Sequence, residues 1–202
     1  MNKNEKFILD GCKVAWHQER LKQWNFGKGK VAPITIDCAL TTKCSYRCVY
    51  CYGKMQHINQ FEHLDRETIF NFLDDAKEIG VKAISFVSDG ESTCNPNLTD
   101  AVIHGYNIGL DMALGTNGYL LKDEDIEKML PCLTYLRFNI SAGEKDRYCE
   151  IHGVKQECYD RVIHNIKKAV TYKKENNLDV TIGMQMVLMP EFKDQIIPLT
   201  KL

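Results

Sequence analysis

Residues 34–54 read ITIDCALTTKCSYRCVYCYGK, in which a β-branched run passes directly into a loop with three cysteines. Short runs of this kind recur along the chain, and segments with helical periodicity separate them. The predicted strands are residues 35–40, 83–88, 112–115, 134–140 and 179–189. Strands that alternate with helices are typical of repeated β-α units, so we predict an α/β fold with a parallel sheet.

Apolar residues at helical spacing predict the helices between these strands. The segment that begins at Asp65 has one apolar face and reaches Gly80, where a C-terminal cap belongs. The segment 158–174 carries the longest apolar stripe and predicts a helix packed against the sheet. Two shorter helices are expected, one after Thr99 and one after Lys122.

The composition is that of a single folded domain. Of the 202 residues, 44% are apolar and 26% are charged, which excludes an intrinsically disordered protein. The 26 basic and 27 acidic residues give a net charge of −1, which offers nothing to attract nucleic acid or an anionic membrane. No apolar run is long enough for a signal peptide, or for the roughly 18 residues that span a bilayer. We therefore expect a cytoplasmic protein with no nucleic-acid or membrane partner.

Three of the cysteines stand apart from the others. The chain has nine, and an odd number without a secretion signal argues against a disulfide framework. A single free cysteine is most often a buried residue that fills the core. Cys44, Cys48 and Cys51, however, form a C-x-x-x-C-x-x-C motif just after the first predicted strand. Their thiolates can converge on one metal centre.

This motif lacks the fourth ligand that a closed zinc site needs, and the chain has neither a second C-x-x-C nor a Cys-His pair at zinc-finger spacing. A [4Fe–4S] cluster fits better, with three irons held by cysteine and the fourth open to an exogenous ligand. An open iron indicates catalysis. The alternative is a non-catalytic zinc or iron–sulfur module in which one of the other cysteines is the fourth ligand, with Cys94, after the second strand, as the leading candidate.

With Tyr50 included, the motif becomes C-x3-C-x-aromatic-C and resembles that of the radical S-adenosylmethionine (radical SAM) enzymes. The resemblance implies that SAM chelates the open iron of a [4Fe–4S] cluster. An electron from the cluster then splits SAM into methionine and a 5′-deoxyadenosyl radical, which abstracts a hydrogen atom from the substrate. It also implies an oxygen-sensitive enzyme with a peptide, protein or small-molecule substrate, and a reductase or flavodoxin-type protein as electron donor.

The loop after the second predicted strand carries a further match to this family. It reads VSDGES over residues 87–92, and Gly90 with Glu91 resembles the glycine-glutamate loop that binds the amino group of SAM. Glycine permits the close backbone approach that such a contact requires. Ser88 is a further candidate contact, and Asp89 replaces the first glycine of the usual family pattern. An ordinary turn before an acidic helix start is the alternative.

The ends of the later strands complete the set of candidate SAM contacts. Thr116 and Asn117, in the sequence GTNG, resemble the family's loop near the ribose of SAM, although a turn with left-handed residues has the same sequence pattern. Asn139 and Ser141 follow the fourth strand, where family members place amide or hydroxyl contacts to the cofactor. Gln185, on the fifth strand, is a candidate contact to the carboxylate or the adenine.

Residues 141–170 resemble the stretch between the fourth strand and the fourth helix of maturases with auxiliary clusters. This favours modification of a peptide or protein, while activation of a glycyl-radical partner and modification of a small molecule stay open. His152 lies within the stretch, and a lone histidine is expected to be structural or solvent-facing.

Family barrels have six parallel strands, whereas the resemblance here covers residues 35–202 with five. We therefore predict a partial (βα)6-type TIM-like barrel with about five βα units, truncated at its C-terminus. Residues 1–34 form a preamble that lies over this core. Because an uncovered fifth strand is a liability at a sheet edge, we expect either a longer natural protein or a second chain at that edge. A sixth strand within residues 1–34 would contradict this expectation.

Overall fold

The computed structural model describes residues 15–26, 31–55, 62–87 and 89–202. Their strands are Thr35–Cys38 (β1), Ala83–Phe86 (β2), Asp111–Thr116 (β3), Leu133–Asn139 (β4) and Thr181–Gln185 (β5). Their α-helices are Gln18–Phe26 (α1), Tyr52–Met55 (α2), Arg66–Glu78 (α3), Leu98–Asn107 (α4), Asp123–Met129 (α5), Lys145–His152 (α6), Gln156–Glu175 (α7) and Ile196–Thr200 (α8). None of these helices combines the length and the apolar character needed to cross a membrane.

The strands form one parallel sheet in which each strand pairs with the one before it in the sequence. The predicted α/β fold with a parallel sheet is confirmed. β5 ends at Gln185 rather than at residue 189, because the Val187 N–H donates to the Ser141 hydroxyl and a 3-10 helix begins at Pro190. Of the described residues before β1, 15–26 and 31–34, none forms a strand.

The helices cover one face of the sheet. Alternation along the three middle strands directs apolar side chains to that face, and all of them are buried: Ile84, Phe86, Met112, Leu114, Leu136 and Phe138. The stripe on α3 adds Ile69, Leu73 and Ala76 to the same core. The other face of β4 carries Arg137 and Asn139, which are only half-buried. The sheet therefore has an apolar side for packing and a polar side for a site.

The predicted helix signals are present. The Asp65 carboxylate caps α3 by accepting a hydrogen bond from the Thr68 N–H at 2.8 Å, and Gly80 follows the helix with a φ of 93°. α7 contains the whole predicted segment 158–174. The Arg20 guanidinium on α1 donates to the carbonyl of Gly80 at 2.6 Å, which joins α1 to the end of α3. The boundary at residue 34 stays a prediction.

The end of α6 supports the cysteine loop, which we define as residues 41–51. The N–H groups of Arg47 and Val49 donate to the carbonyls of His152 and Ile151, at 3.1 and 2.9 Å. α6 was not predicted as a separate helix, because its eight residues bury only three side chains and the apolar pattern is too short. A helix that the sequence pattern does not reveal thus positions the cysteines.

His152 joins this helix to the cysteine loop through its side chain. The ring is fully buried, with Nε2 2.8 Å from the Ile140 carbonyl and Nδ1 3.1 Å from the Cys48 sulfur. Burial lowers the pKa of His152 to about 4, although the hydrogen bond to Ile140 acts in the opposite direction. Of the two expected placements, structural or solvent-facing, His152 therefore has the structural one, since its ring lies inside the core.

Asn95 holds both ends of the segment that contains the cysteine loop. Its side chain is buried, and Nδ2 donates to the carbonyls of Leu40 and Leu64 at 2.8 and 2.9 Å. Its Oδ1 accepts from the N–H of Asn97 at 2.9 Å. The Asn95 side chain therefore holds the residues after β1 close to the residues before α3.

We expect the substitution Asn95→Ala to lower the free energy of unfolding by about 1–3 kcal/mol, because the Leu40 and Leu64 carbonyls lose the hydrogen bonds from Asn95 and the Asn97 N–H loses its acceptor. Urea unfolding followed by circular dichroism measures this change. Asn176→Ala is the matched control, since Asn176 also donates to a backbone carbonyl but is exposed. The control should change stability by less than about 0.5 kcal/mol, and equal effects of the two substitutions would contradict the role of Asn95.

We also expect the metal-free protein to lose stability as the pH falls from 6.5 towards 4, because unfolding releases His152 to take up a proton. The folded pKa lies below the unfolded value, so the contribution is complete above the unfolded pKa. It amounts to about 3 kcal/mol at most. Unfolding free energies measured across this range should show a slope that His152→Leu removes and that His164→Leu, at an exposed site, retains. An unchanged slope in His152→Leu would contradict the assignment.

Candidate functional site

A cavity of about 260 Å³ opens at the carboxyl ends of the strands. The predicted site residues that line it are Cys44, Cys48, Tyr50, Cys51, Gly90, Glu91, Thr116, Asn117, Asn139 and Gln185. Ser141 is fully buried and contacts Tyr50, one of the lining residues. Ser88 lies outside the described residues. The fold thus gathers candidates from the cysteine loop and from the ends of four strands around one space.

The three thiols of the motif face this cavity. Although Cys44 is exposed, desolvation by surrounding atoms raises the pKa of its thiol to about 11, against a hydrogen bond from the Tyr46 N–H that lowers it. Burial raises the pKa of Cys48 to about 12. Without a metal both groups are therefore thiols at neutral pH, and a metal that binds them has to displace their protons.

The donor set fits an iron–sulfur cluster. Three cysteine sulfurs line one cavity, and thiolates are the ligands that such clusters use. Among the residues that the structure describes, no three His, Cys, Asp or Glu side chains are grouped closely enough to hold a single metal ion. Cys94, the fourth ligand of the zinc alternative, is half-buried and is not among the residues that line the cavity.

Gly90 lets the backbone after β2 touch the cysteine loop. Its φ is 66°, and a Cβ at this position would lie 2.2 Å from the carbonyl oxygen of Thr41 and 2.8 Å from that of Lys43. The next residue, Glu91, donates its N–H to the same Lys43 carbonyl at 2.8 Å. No side chain fits between these backbones, so glycine is required here.

The Glu91 carboxylate is buried and binds other predicted site residues. Oε1 accepts from the Thr93 N–H at 3.1 Å, the Thr93 hydroxyl at 2.8 Å and the Thr116 hydroxyl at 2.6 Å. Oε2 accepts from the Asn117 N–H at 2.7 Å. The Asn117 amide in turn donates to the Ser45 hydroxyl at 3.1 Å. The carboxylate therefore links the loops after β2 and β3 to the cysteine loop.

Tyr50 ties the cysteine loop to the end of β4. Its hydroxyl accepts from the Asn139 amide at 2.9 Å and lies 3.3 Å from the Ser141 hydroxyl. Burial raises the pKa of Tyr50, so the phenol stays protonated. Ser141 has a φ of 53° and also accepts from the Val187 N–H at 3.2 Å. Tyr50, the aromatic residue of the motif, is thus hydrogen-bonded to two further predicted site residues, Asn139 and Ser141.

Several contacts at the site were not anticipated from the sequence. The hydrogen bond between Cys48 and His152 joins residues far apart in the chain, and the only local signal was the histidine directly before Gly153. The Tyr52 hydroxyl donates to the carboxylate of Asp89, the residue at the first glycine position of the family pattern. In both contacts the fold brings together side chains that are far apart in the sequence.

The chain resembles known proteins over most of its length. The model of the Radical SAM superfamily matches residues 39–201. GTP 3′,8-cyclase of Campylobacter jejuni (strain RM1221) is 28% identical over 160 residues, which are 77% of this chain and 47% of the relative. The AdoMet-dependent heme synthase of Methanosarcina barkeri (strain Fusaro / DSM 804) is 34% identical over 129 residues, 64% of this chain and 34% of the relative.

A solved structure shows the same architecture. Streptococcus suis SuiB, solved with S-adenosylmethionine and with its precursor peptide SuiA, superposes with a TM-score of 0.67 at 20% identity. The match covers 94% of this chain and 41% or 40% of the SuiB chain, so this chain spans less than half the length of each of these proteins. The fold is confirmed as the partial TIM-like barrel of these proteins, and the chain belongs to the radical SAM superfamily, a class of enzymes.

Proposed function

We propose that this chain binds a [4Fe–4S] cluster through Cys44, Cys48 and Cys51, and that it cleaves SAM reductively to a 5′-deoxyadenosyl radical for hydrogen abstraction. The observation that carries the proposal is the convergence of three cysteine sulfurs and the Gly90 backbone on one cavity. The bound cluster supplies the low-potential electron, and SAM supplies the radical. The protein supplies ligands, orientation and exclusion of water.

The residues of this chain divide that work between them. The Gly90 backbone and the Glu91 loop offer a site for the amino group of SAM, while Thr116 and Asn117 border the ribose. Asn139 and Gln185 present amide groups from the opposite side of the cavity, and Tyr50 joins the two sides. The buried Ser141 hydroxyl contacts Tyr50, and Ser141 stays a proposed SAM contact on the sequence alone. Ser88 remains a proposed contact on the sequence alone. Hydrogen bonds hold most of these side chains in place before any ligand arrives, which lowers the cost of binding; the side chains so held are Tyr50, Glu91, Thr116, Asn117, Asn139 and Ser141.

The substrate of the proposed reaction is a peptide, a protein or a small molecule. The SuiB structure with its precursor peptide supports a peptide, and the cyclase named for GTP supports a small molecule. A reductase or a flavodoxin-type protein would supply electrons. We propose a cytoplasmic location, where such donors and free thiols are found.

The test is anaerobic reconstitution with iron and sulfide, followed by dithionite and SAM. We expect the wild-type protein to bind about four irons per chain and to form 5′-deoxyadenosine, measured by liquid chromatography. Replacing Cys44, Cys48 or Cys51 by Ala should abolish both iron retention and cleavage, since each removes one of three ligands.

Cys94→Ala is the matched control, because Cys94 is a half-buried cysteine whose sulfur interacts with the Ser45 backbone of the cysteine loop but does not line the cavity. It should keep both iron and cleavage. If Cys94 is needed for metal retention, and the protein holds zinc tightly without cleaving SAM, the non-catalytic module is correct and the proposal fails.

The substitution Glu91→Gln should lower the free energy of unfolding by about 1–3 kcal/mol and weaken SAM binding, because the amide nitrogen cannot accept the hydrogen bonds that the carboxylate accepts. Thermal unfolding and equilibrium dialysis with labelled SAM measure the two effects. Glu124→Gln, an exposed residue on α5, is the control for loss of the charge. A Glu91→Gln protein with unchanged stability and affinity would show that the buried carboxylate does not organise the loops.

A further inference from the structure

The inner face of β4 presents a cation that no described residue neutralises. Arg137 lines the cavity, is half-buried, and makes no hydrogen bond or ion pair with any residue in the described part of the chain. The other charged side chain in the described lining, Glu91, already accepts four hydrogen bonds from Thr93, Thr116 and Asn117. A guanidinium stays charged at any physiological pH, so the cavity has a free positive group in its wall.

The sheet makes room for this group. Arg137 pairs in register with Gly115 on β3 and with Gly183 on β5, so neither neighbour places a side chain beside it. A Cβ at Gly115 would lie 2.9 Å from Nη2 of Arg137, which shows that the guanidinium lies across the bare backbone of β3. The N–H groups of the guanidinium thus lie against the backbone of β3, where neither Gly115 nor Gly183 supplies an acceptor side chain.

Arg137 also lies deeper in the barrel than the candidate SAM contacts. It precedes Asn139 by two residues on β4, about 7 Å along a strand. Asn139 reaches Tyr50 and so belongs to the layer next to the cysteine loop. A ligand that reaches Arg137 therefore lies further from the cysteine loop along β4 than one that contacts only Asn139, although both residues line the same cavity.

We propose that Arg137 binds the anionic group of the substrate, a carboxylate or a phosphate, inside the barrel. Either oxyanion accepts two parallel hydrogen bonds from a guanidinium, which gives orientation as well as affinity. The inference rests on the proposed function, because it takes SAM as the second occupant of the cavity. SAM itself has a carboxylate, so the test has to separate the two sources of the oxyanion.

The test measures how fast phenylglyoxal modifies Arg137 in the reconstituted, SAM-saturated protein, with peptide mass spectrometry as the readout. Arg66, an exposed arginine on α3, serves as the control in the same sample. Inorganic phosphate or succinate at about ten times its Kd should slow the reaction at Arg137 about tenfold. The reason is that the fraction of protein without bound anion falls by the factor 1 + [L]/Kd. The rate at Arg66 should not change.

Two outcomes of the modification experiment would overturn the proposal, and a binding measurement on a variant provides a third test. One is that neither anion slows the modification of Arg137. The other is that SAM alone protects Arg137 while decarboxylated SAM does not, since the group bound would then be the carboxylate of SAM. The Arg137→Gln protein should bind SAM as tightly as the wild type, and a matching loss of SAM affinity would count against a substrate role. Formation of 5′-deoxyadenosine without anion protection would refute this inference and leave the proposed function intact.

Discussion

The close contact between two stretches of backbone, the cysteine loop and the turn after β2, is the constraint on which the site depends. Gly90 leaves the space for that contact, and the Glu91 N–H closes it on the Lys43 carbonyl. The buried Glu91 carboxylate then draws in the loop after β3. A buried charge is stable only when it is fully hydrogen-bonded, so these loops cannot move independently. The geometry of the cavity is consequently built into the folded chain.

The two sides of the cavity differ in how much freedom their polar groups retain. On the side of β2 and β3, Glu91 and Thr116 satisfy each other. On the side of β4 and β5, Arg137 and Gln185 have no hydrogen bond from their side chains to other described residues, while Asn139 uses only part of its amide on Tyr50. The wall formed by β2 and β3 is therefore fixed by internal hydrogen bonds. The wall formed by β4 and β5 carries polar groups with hydrogen-bonding capacity left for a ligand.

The sequence was enough to predict the sheet and most residues of the cavity, because both rest on local patterns. Strand alternation, the Asp65 cap and the spacing of the cysteines are all read within a few residues. The hydrogen bonds of Glu91 and His152 were not predictable, since their partners stand 25 and 104 residues away. The extent of β5 was also overestimated, because its apolar run continues past Gln185 although the bond to Ser141 ends the pairing. Local chemistry thus reveals which residues matter, and the fold decides what each one touches.

The order of the strands has a consequence for how the protein matures. Each strand pairs with its predecessor, so the sheet can grow from one edge as the chain leaves the ribosome. The cysteine loop emerges early, yet Asn139 and His152, which hold Tyr50 and Cys48, are synthesised about one hundred residues later. Until then Cys48 lacks its hydrogen bond to His152, and Tyr50 lacks its hydrogen bond from Asn139. The hydrogen bonds that hold Tyr50 and Cys48 can therefore form only after α6 has been translated, which makes the final shape of the cysteine loop a late product of folding.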